Sequence, residues 1–174
     1  MMEIRKAAET EYDAVRAFYH SVIDCTEDAE FSPMWIKDIY PAPEYLRESI
    51  ENGELYLGLL GGEIAAAMVL NHQYNDGYNE CNWQTDAADS EITVIHTLGV
   101  HPKFSRQGLA KQMVTKAFEA ARENGQKAIR LDVLEGNLPA EKLYPALGFR
   151  YIDTVNLYYD DTGWTVFKLY EYVL

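Results

Sequence analysis

Two stretches of this sequence bring together residue types that can do chemistry. The first, Leu98-Gly99-Val100-His101-Pro102-Lys103-Phe104-Ser105-Arg106-Gln107-Gly108-Leu109-Ala110, follows a β-branched apolar run and opens an amphipathic one. A strand that turns straight into a helix offers the unpaired amide N–H groups and the positive dipole end of that helix, and together these favour a bound phosphate. Gly108 and Ala110 are small enough for a ligand to approach the backbone of Gln107, Gly108, Leu109, Ala110 and Lys111, and Arg106 can add a charge-assisted contact. Plain helix-strand packing uses the same small residues. The second stretch runs from Asn137 to Phe149 and holds Tyr144 ahead of Leu147-Gly148-Phe149. Tyr144 offers a phenol of ordinary pKa about 10, or packs beside Leu143 and Leu147. Asn137 reads as a helix N-cap, a ligand contact, or both. His96 brings an imidazole that titrates near neutrality, and Glu91 stands at the entrance to the same run. His20, His72 and His101 show no partner in sequence. The chain has no GxxxxGK[ST] or GxGxxG pattern, which sets aside kinase and dehydrogenase chemistry.

The elements that must position these residues follow from periodicity. Residues 2–8 read as a short strand, and Thr10 as the cap of a helix carrying Val15, Phe18, Tyr19, Val22 and Ile23 inward and ending near Asp24. Pro33, Pro41 and Pro43 break the next stretch into an aromatic loop with Phe31, Trp35 and Tyr40. A helix over 43–51 stops at Asn52-Gly53, and a hairpin then turns at Gly61-Gly62. Residues 71–90 are polar and read as a long loop or strand extension. Residues 91–100 read as a buried central strand, and the helix after it ends at Asn124-Gly125. A strand at 127–135, a short helix, and two strands joined by Asp160-Asp161-Thr162-Gly163 complete an order of β-α-α-β-β-β-α-β-α-β-β.

Composition narrows the partners. A chain of 174 residues, 48% hydrophobic and 25% charged, fits one globular domain over 1–174. Fifteen Lys and Arg against 28 Asp and Glu leave a net charge of −13, which repels nucleic acid. That field either favours a cationic ligand or serves solubility alone. Cys25 and Cys81 stand apart with no CxxC or Cys/His cluster, so neither a metal site nor a disulfide is expected and a reducing cytoplasm fits. No run long and apolar enough for a membrane span or a signal peptide occurs, so no membrane partner is expected, and a homodimer is left open.

The segment around Gly108 and Ala110 resembles the pyrophosphate-binding motif of the GNAT acetyltransferases: Arg or Gln, two residues, Gly, one residue, then Gly or Ala. Ser105 stands where the family has Arg or Gln, so one side-chain contact is missing while the backbone cradle remains, and Arg106 is placed to compensate. The Asn137–Phe149 stretch is similar to the family's Asn, Tyr-bearing helix and Leu-Gly-Phe, in family order, so the likeness covers roughly residues 54–160. The resemblance implies an α/β (α+β) fold, a mixed central sheet of about seven strands flanked by about four helices. It also implies acetyl-CoA as co-substrate, without metal, and transfer to a primary amine of a small molecule. The alternatives are an acyl-CoA-binding module and a protein lysine or N-terminal acetyltransferase. By the same resemblance Leu98, Gly99 and Val100 bond the acetyl and pantetheine arm, Asn137 holds the amide arm, and Tyr144 protonates the leaving thiolate. His96 is then the base that takes the amine's proton, with Glu91 acting through water as the alternative. Phe31, Trp35, Tyr40 and Trp83 either shape an acceptor pocket or cover the core.

Overall fold

The computed structural model describes residues 1–174. Seven strands form one mixed sheet: β1 (Glu3–Lys6), β2 (Leu55–Leu60), β3 (Glu63–Asn71), β4 (Ile92–Val100), β5 (Ala128–Leu134), β6 (Arg150–Tyr159) and β7 (Gly163–Val173), in the spatial order β1-β2-β3-β4-β5-β7-β6. Four α-helices flank it: α1 (Tyr12–Thr26), α2 (Pro43–Glu51), α3 (Leu109–Glu123) and α4 (Leu138–Ala146). None is long and apolar enough to cross a membrane.

Side-chain alternation assigns the layers. On β3, Ala66, Met68 and Leu70 face one side with Met113, Val114 and Ala117 of α3 and Tyr144 of α4, while Ala67 and Val69 face the other with Val15, Phe18 and Tyr19 of α1 and Leu46 and Ile50 of α2. Both faces are apolar, as a central strand demands. A third cluster, with Tyr78, Ile92, Phe167 and Leu169, fills the face of β5 opposite α3.

Some boundaries differ from the sequence reading. Thr10 is not a cap: residues Glu9–Glu11 form a 3-10 turn in which the Glu11 carboxylate accepts from Ala8 N at 2.8 Å and pairs with Arg5 at 2.8 Å, so the α-helix begins at Tyr12. It continues to Thr26, whose Oγ1 donates to the Val22 carbonyl at 2.8 Å. Residues 71–90 are neither plain loop nor strand, since they hold two 3-10 turns, Asp76–Glu80 and Asp89–Glu91. A buried ion pair anchors them. Arg130 Nε meets Glu171 Oε2 at 2.8 Å and Nη2 donates to the Thr85 carbonyl at 2.8 Å, while Glu171 Oε1 accepts from Gln84 N at 2.8 Å. Trp83 lies over the Arg130 guanidinium at 4.3 Å and therefore covers this pair instead of an acceptor pocket.

Candidate active site

The site begins where the sheet comes apart. β4 and β5 are parallel and pair only through Ile92↔Ala128, Thr93↔Ile129 and Val94↔Arg130. Beyond those residues the strands diverge, and the β5-facing edge of β4 from Ile95 onward has no strand neighbour. The other edge stays paired to β3, but with a bulge: Ala67 pairs Gly99 and Val69 pairs His96, which leaves one extra residue on β4. Thr97 takes up that residue with φ +50, a conformation a β-branched side chain resists, and the Tyr19 hydroxyl pins it by donating to the Thr97 carbonyl at 2.9 Å. The bulge changes which side chains of β4 reach the opening.

Two connected spaces fill the wedge. A groove of about 330 Å³ is lined by Phe31, Leu98, Gly99, Val100, Ala110, Asn137, Leu143 and Tyr144, among others. A smaller cavity of about 120 Å³ lies deeper, between His96 and Leu98 of β4, Asp132 of β5, Trp35 and Tyr40 of the aromatic loop, and Asp161 of the β6-β7 turn. Trp35, Leu98, Asn137 and Tyr144 border both. Gly99 is small for a local reason: a Cβ there would come within 3.3 Å of the Trp35 ring.

At the outer end of the groove α3 starts. Gly108 caps it with φ +71, and the N–H groups of Gly108, Leu109, Ala110 and Lys111 have no acceptor, the first helical bond being Gln112 N to the Gly108 carbonyl at 3.1 Å. No acidic residue occupies the first turn of α3, whereas α1, α2 and α4 carry Asp13, Glu44 and Glu141 there. In a chain of net charge −13 this is the helix start left open to an anion. Ser105, Arg106 and Gln107 are exposed in the turn before it, and Arg106 has φ +61.

Tyr144 is 6% exposed, and its hydroxyl makes no hydrogen bond within the protein. Burial, with the charge of Asp132 adding, raises its pKa, so it stays protonated throughout the neutral range. Asn137 caps α4 by a long 3.4 Å contact to Ala140 N and borders both spaces, so cap and ligand contact are compatible.

His96 borders the cavity, but its chemistry differs from the sequence reading. Nε2 lies 2.9 Å from the Gln73 carbonyl and 2.8 Å from Asn71 Oδ1; a carbonyl only accepts, so Nε2 carries the proton and Nδ1 keeps the free lone pair. Burial pushes the pKa down to about 4, so the imidazole does not titrate near neutrality and is uncharged there. Glu91 is not brought to the site. It belongs to the 3-10 turn at the closed end of β4, roughly 20 Å along the strand from Leu98, and pairs with Lys127 at 2.9 Å while accepting from Ala88 N at 2.9 Å. Those contacts lower its pKa, Lys127 contributing most.

Sequence reasoning missed Asp132 and Asp161. Asp132 alternates with Leu131 and Val133, which face α3, and so turns toward the cavity. A lone carboxylate inside Ile129-Arg130-Leu131-Asp132-Val133 was the available signal. The remaining histidines sit elsewhere: His20 pairs with Asp38 at 2.8 Å, His72 Nδ1 donates to the Ile92 carbonyl at 2.7 Å, and His101 meets Ser21 Oγ at 2.8 Å.

Comparison with known proteins agrees with this geometry. An uncharacterized N-acetyltransferase of Methanocaldococcus jannaschii is 32% identical over 76 residues, 44% of this chain and only 34% of its own length. A thialysine N-epsilon-acetyltransferase of Caenorhabditis elegans is 29% identical over 145 residues, 82% of this chain and 79% of the relative. The crystal structure of Arabidopsis thaliana NAA60 in complex with acetyl-CoA superposes with a TM-score of 0.72, covering 100% of this chain and 99% of that one, and at 13% identity it shows a shared fold. The sequence profile of the Acetyltransferase (GNAT) family matches residues 15–149, most of the chain and every residue that lines the groove, and the chain therefore belongs to the GNAT acetyltransferase family.

Proposed function

We propose that this protein is an N-acetyltransferase that moves an acetyl group from acetyl-CoA directly to a primary amine of a small molecule in the cytoplasm. The observation that carries the reading is the start of α3, with unpaired amides and no acidic side chain at the mouth of a cleft formed by diverging strands. A pyrophosphate fits that start, held by the amides from Gln107 to Lys111 with Arg106 and Lys111 beside them. The pantetheine arm fits the groove, where Leu98, Gly99 and Val100 offer a strand edge with no partner and Asn137 a side-chain amide. Acetyl-CoA supplies a thioester carbonyl when bound.

The chain's own residues do the rest. His96 orients the amine by accepting a hydrogen bond at Nδ1, and with its basicity lowered it takes the proton only as attack makes the amine nitrogen strongly acidic. Tyr144 holds a proton that no protein group claims and gives it to the departing sulfur. The inner cavity of about 120 Å³ suits a short arm of the acceptor.

The test is CoA release from acetyl-CoA over a panel of small amines, beside a calorimetric titration of acetyl-CoA. Binding with turnover of at least one amine is expected. Binding without release for any small amine or N-terminal peptide would leave an acyl-CoA-binding module, and release with peptides alone would make the acceptor a protein.

A further inference from the structure

The inner cavity carries more negative charge than the transfer reaction needs. It is lined by Asp132 and Asp161 and by no Lys or Arg, and His96, its one other titratable group of basic type, is uncharged. Asp132 is fixed in place: the hydroxyls of Tyr78 and Tyr159 donate to its Oδ2 at 2.7 and 2.6 Å, while Oδ1 takes no hydrogen bond. Asp161, on the turn that closes the cavity, has its Oδ1 buried and without any partner. Aromatic rings wall the space, with Tyr40 edge-on to Tyr159 at 5.5 Å and Trp35 beside Tyr40 at 6.5 Å. Carboxylates with open lone pairs among aromatic faces form a site for an ammonium group.

That ammonium is not the reacting nitrogen. Two carboxylates hold an amine in its charged form, whereas the attacking nitrogen must lose its charge. The two ends of the cleft also differ: Leu98 and Tyr144 border both the groove and the cavity, while His96, two residues from Leu98 on β4, borders the cavity alone together with Asp132, Asp161, Tyr40 and Tyr159. Burial raises the pKa of both carboxyl groups, that of Asp132 despite its two tyrosine partners, and a bound cation would oppose this.

We propose that the acceptor is a short amine bearing a second positive charge, bound by Asp132 and Asp161 within the aromatic walls while its other nitrogen meets Leu98 and Tyr144. This rests on the transferase reading for the reacting end alone. The cavity, about 120 Å³, is close to the roughly 150 Å³ that accommodates a six-carbon ring in an engineered core, so the arm is a short aliphatic chain.

The experiment compares kcat/KM for 1,4-diaminobutane, butylamine and 4-aminobutanoate at saturating acetyl-CoA, in the wild type, Asp161→Asn and Asp132→Asn. The diamine is expected to exceed butylamine by about 10-fold or more, and 4-aminobutanoate to be the poorest. The diamine-to-butylamine ratio should fall toward one in each variant. Asp132→Asn also disturbs two tyrosine hydroxyls, so Asp161→Asn, which makes no such contact, tests the site without that complication. A wild-type ratio near one, or a ratio unchanged in both variants, overturns the proposal and leaves the transferase reading intact. If none of these amines is turned over, the reading of the acceptor as a small molecule fails instead. The same amines titrated into the CoA-loaded protein then decide the site: diamine binding lost in Asp161→Asn upholds it, and equal binding of diamine and butylamine overturns it.

Discussion

The Tyr144 hydroxyl makes no hydrogen bond within the protein, so deleting it separates chemistry from folding. Tyr144→Phe should lower turnover about 10- to 1000-fold with acetyl-CoA affinity and thermal stability little changed; steady-state kinetics with calorimetry and a melting curve check this. His96 makes a prediction of opposite kind. Its folded pKa of about 4 lies below the unfolded value near 6.5, so between those values the unfolded chain binds the proton and the folded one does not. Its contribution, of order 3 kcal/mol, is therefore complete above about pH 6.5 and lost as pH falls toward 4. His96→Gln should flatten the melting temperature over that interval and leave the neutral limb of the rate profile in place, since that limb belongs to the amine. Glu91→Gln should change neither turnover nor its pH profile, because Glu91 lies at the far end of β4. The place of Tyr144 at the cleft was legible because the stretch from Asn137 to Phe149 surrounds it. Asp132 was not, because its meaning comes from Tyr78, 54 residues away in the 3-10 turn Asp76–Glu80, and from Tyr159 on a strand pairing with β7.

Among the elements, the polar segment 71–90 matters most for the cavity. It delivers Tyr78 to Asp132, and it is itself fastened by Arg130 and Glu171, the latter fully buried. Glu171→Ala leaves a buried guanidinium without its counter-charge and should cost about 3–5 kcal/mol, measured by denaturant unfolding. The hairpin of β2 and β3, the end of α2 and the C-terminal end of α3 follow directly from Gly61-Gly62, Asn52-Gly53 and Asn124-Gly125. Two features were hidden. Apolar alternation gives a strand but not its neighbour, so the insertion of β7 between β5 and β6 could not be read. Nor could the bulge at Thr97, since threonine is a residue that ordinarily avoids positive φ.

At the scale of the whole molecule, charge is distributed against its own average. A chain of net charge −13 keeps acids out of the first turn of α3 and gathers two of them at the inner end of the same cleft. The net charge was visible in the sequence, but its partition between a mouth without acidic side chains and a floor with two of them depends on how β4 and β5 diverge. The start of α3 is the proposed seat of the pyrophosphate. Gly108→Val is a poor probe of it: nothing lies within 4 Å of the added Cβ, but φ +71 strains any β-branched residue there, so folding and binding would change together. Lys111→Glu separates them. An acid in the first turn favours the helix by about 0.3–1 kcal/mol, while the same charge repels a phosphate. Calorimetric titration of acetyl-CoA should show affinity reduced about 10-fold or more in Lys111→Glu, with a melting temperature equal to or above that of the wild type. Unchanged affinity in a folded Lys111→Glu protein would contradict the account and move the phosphate away from α3.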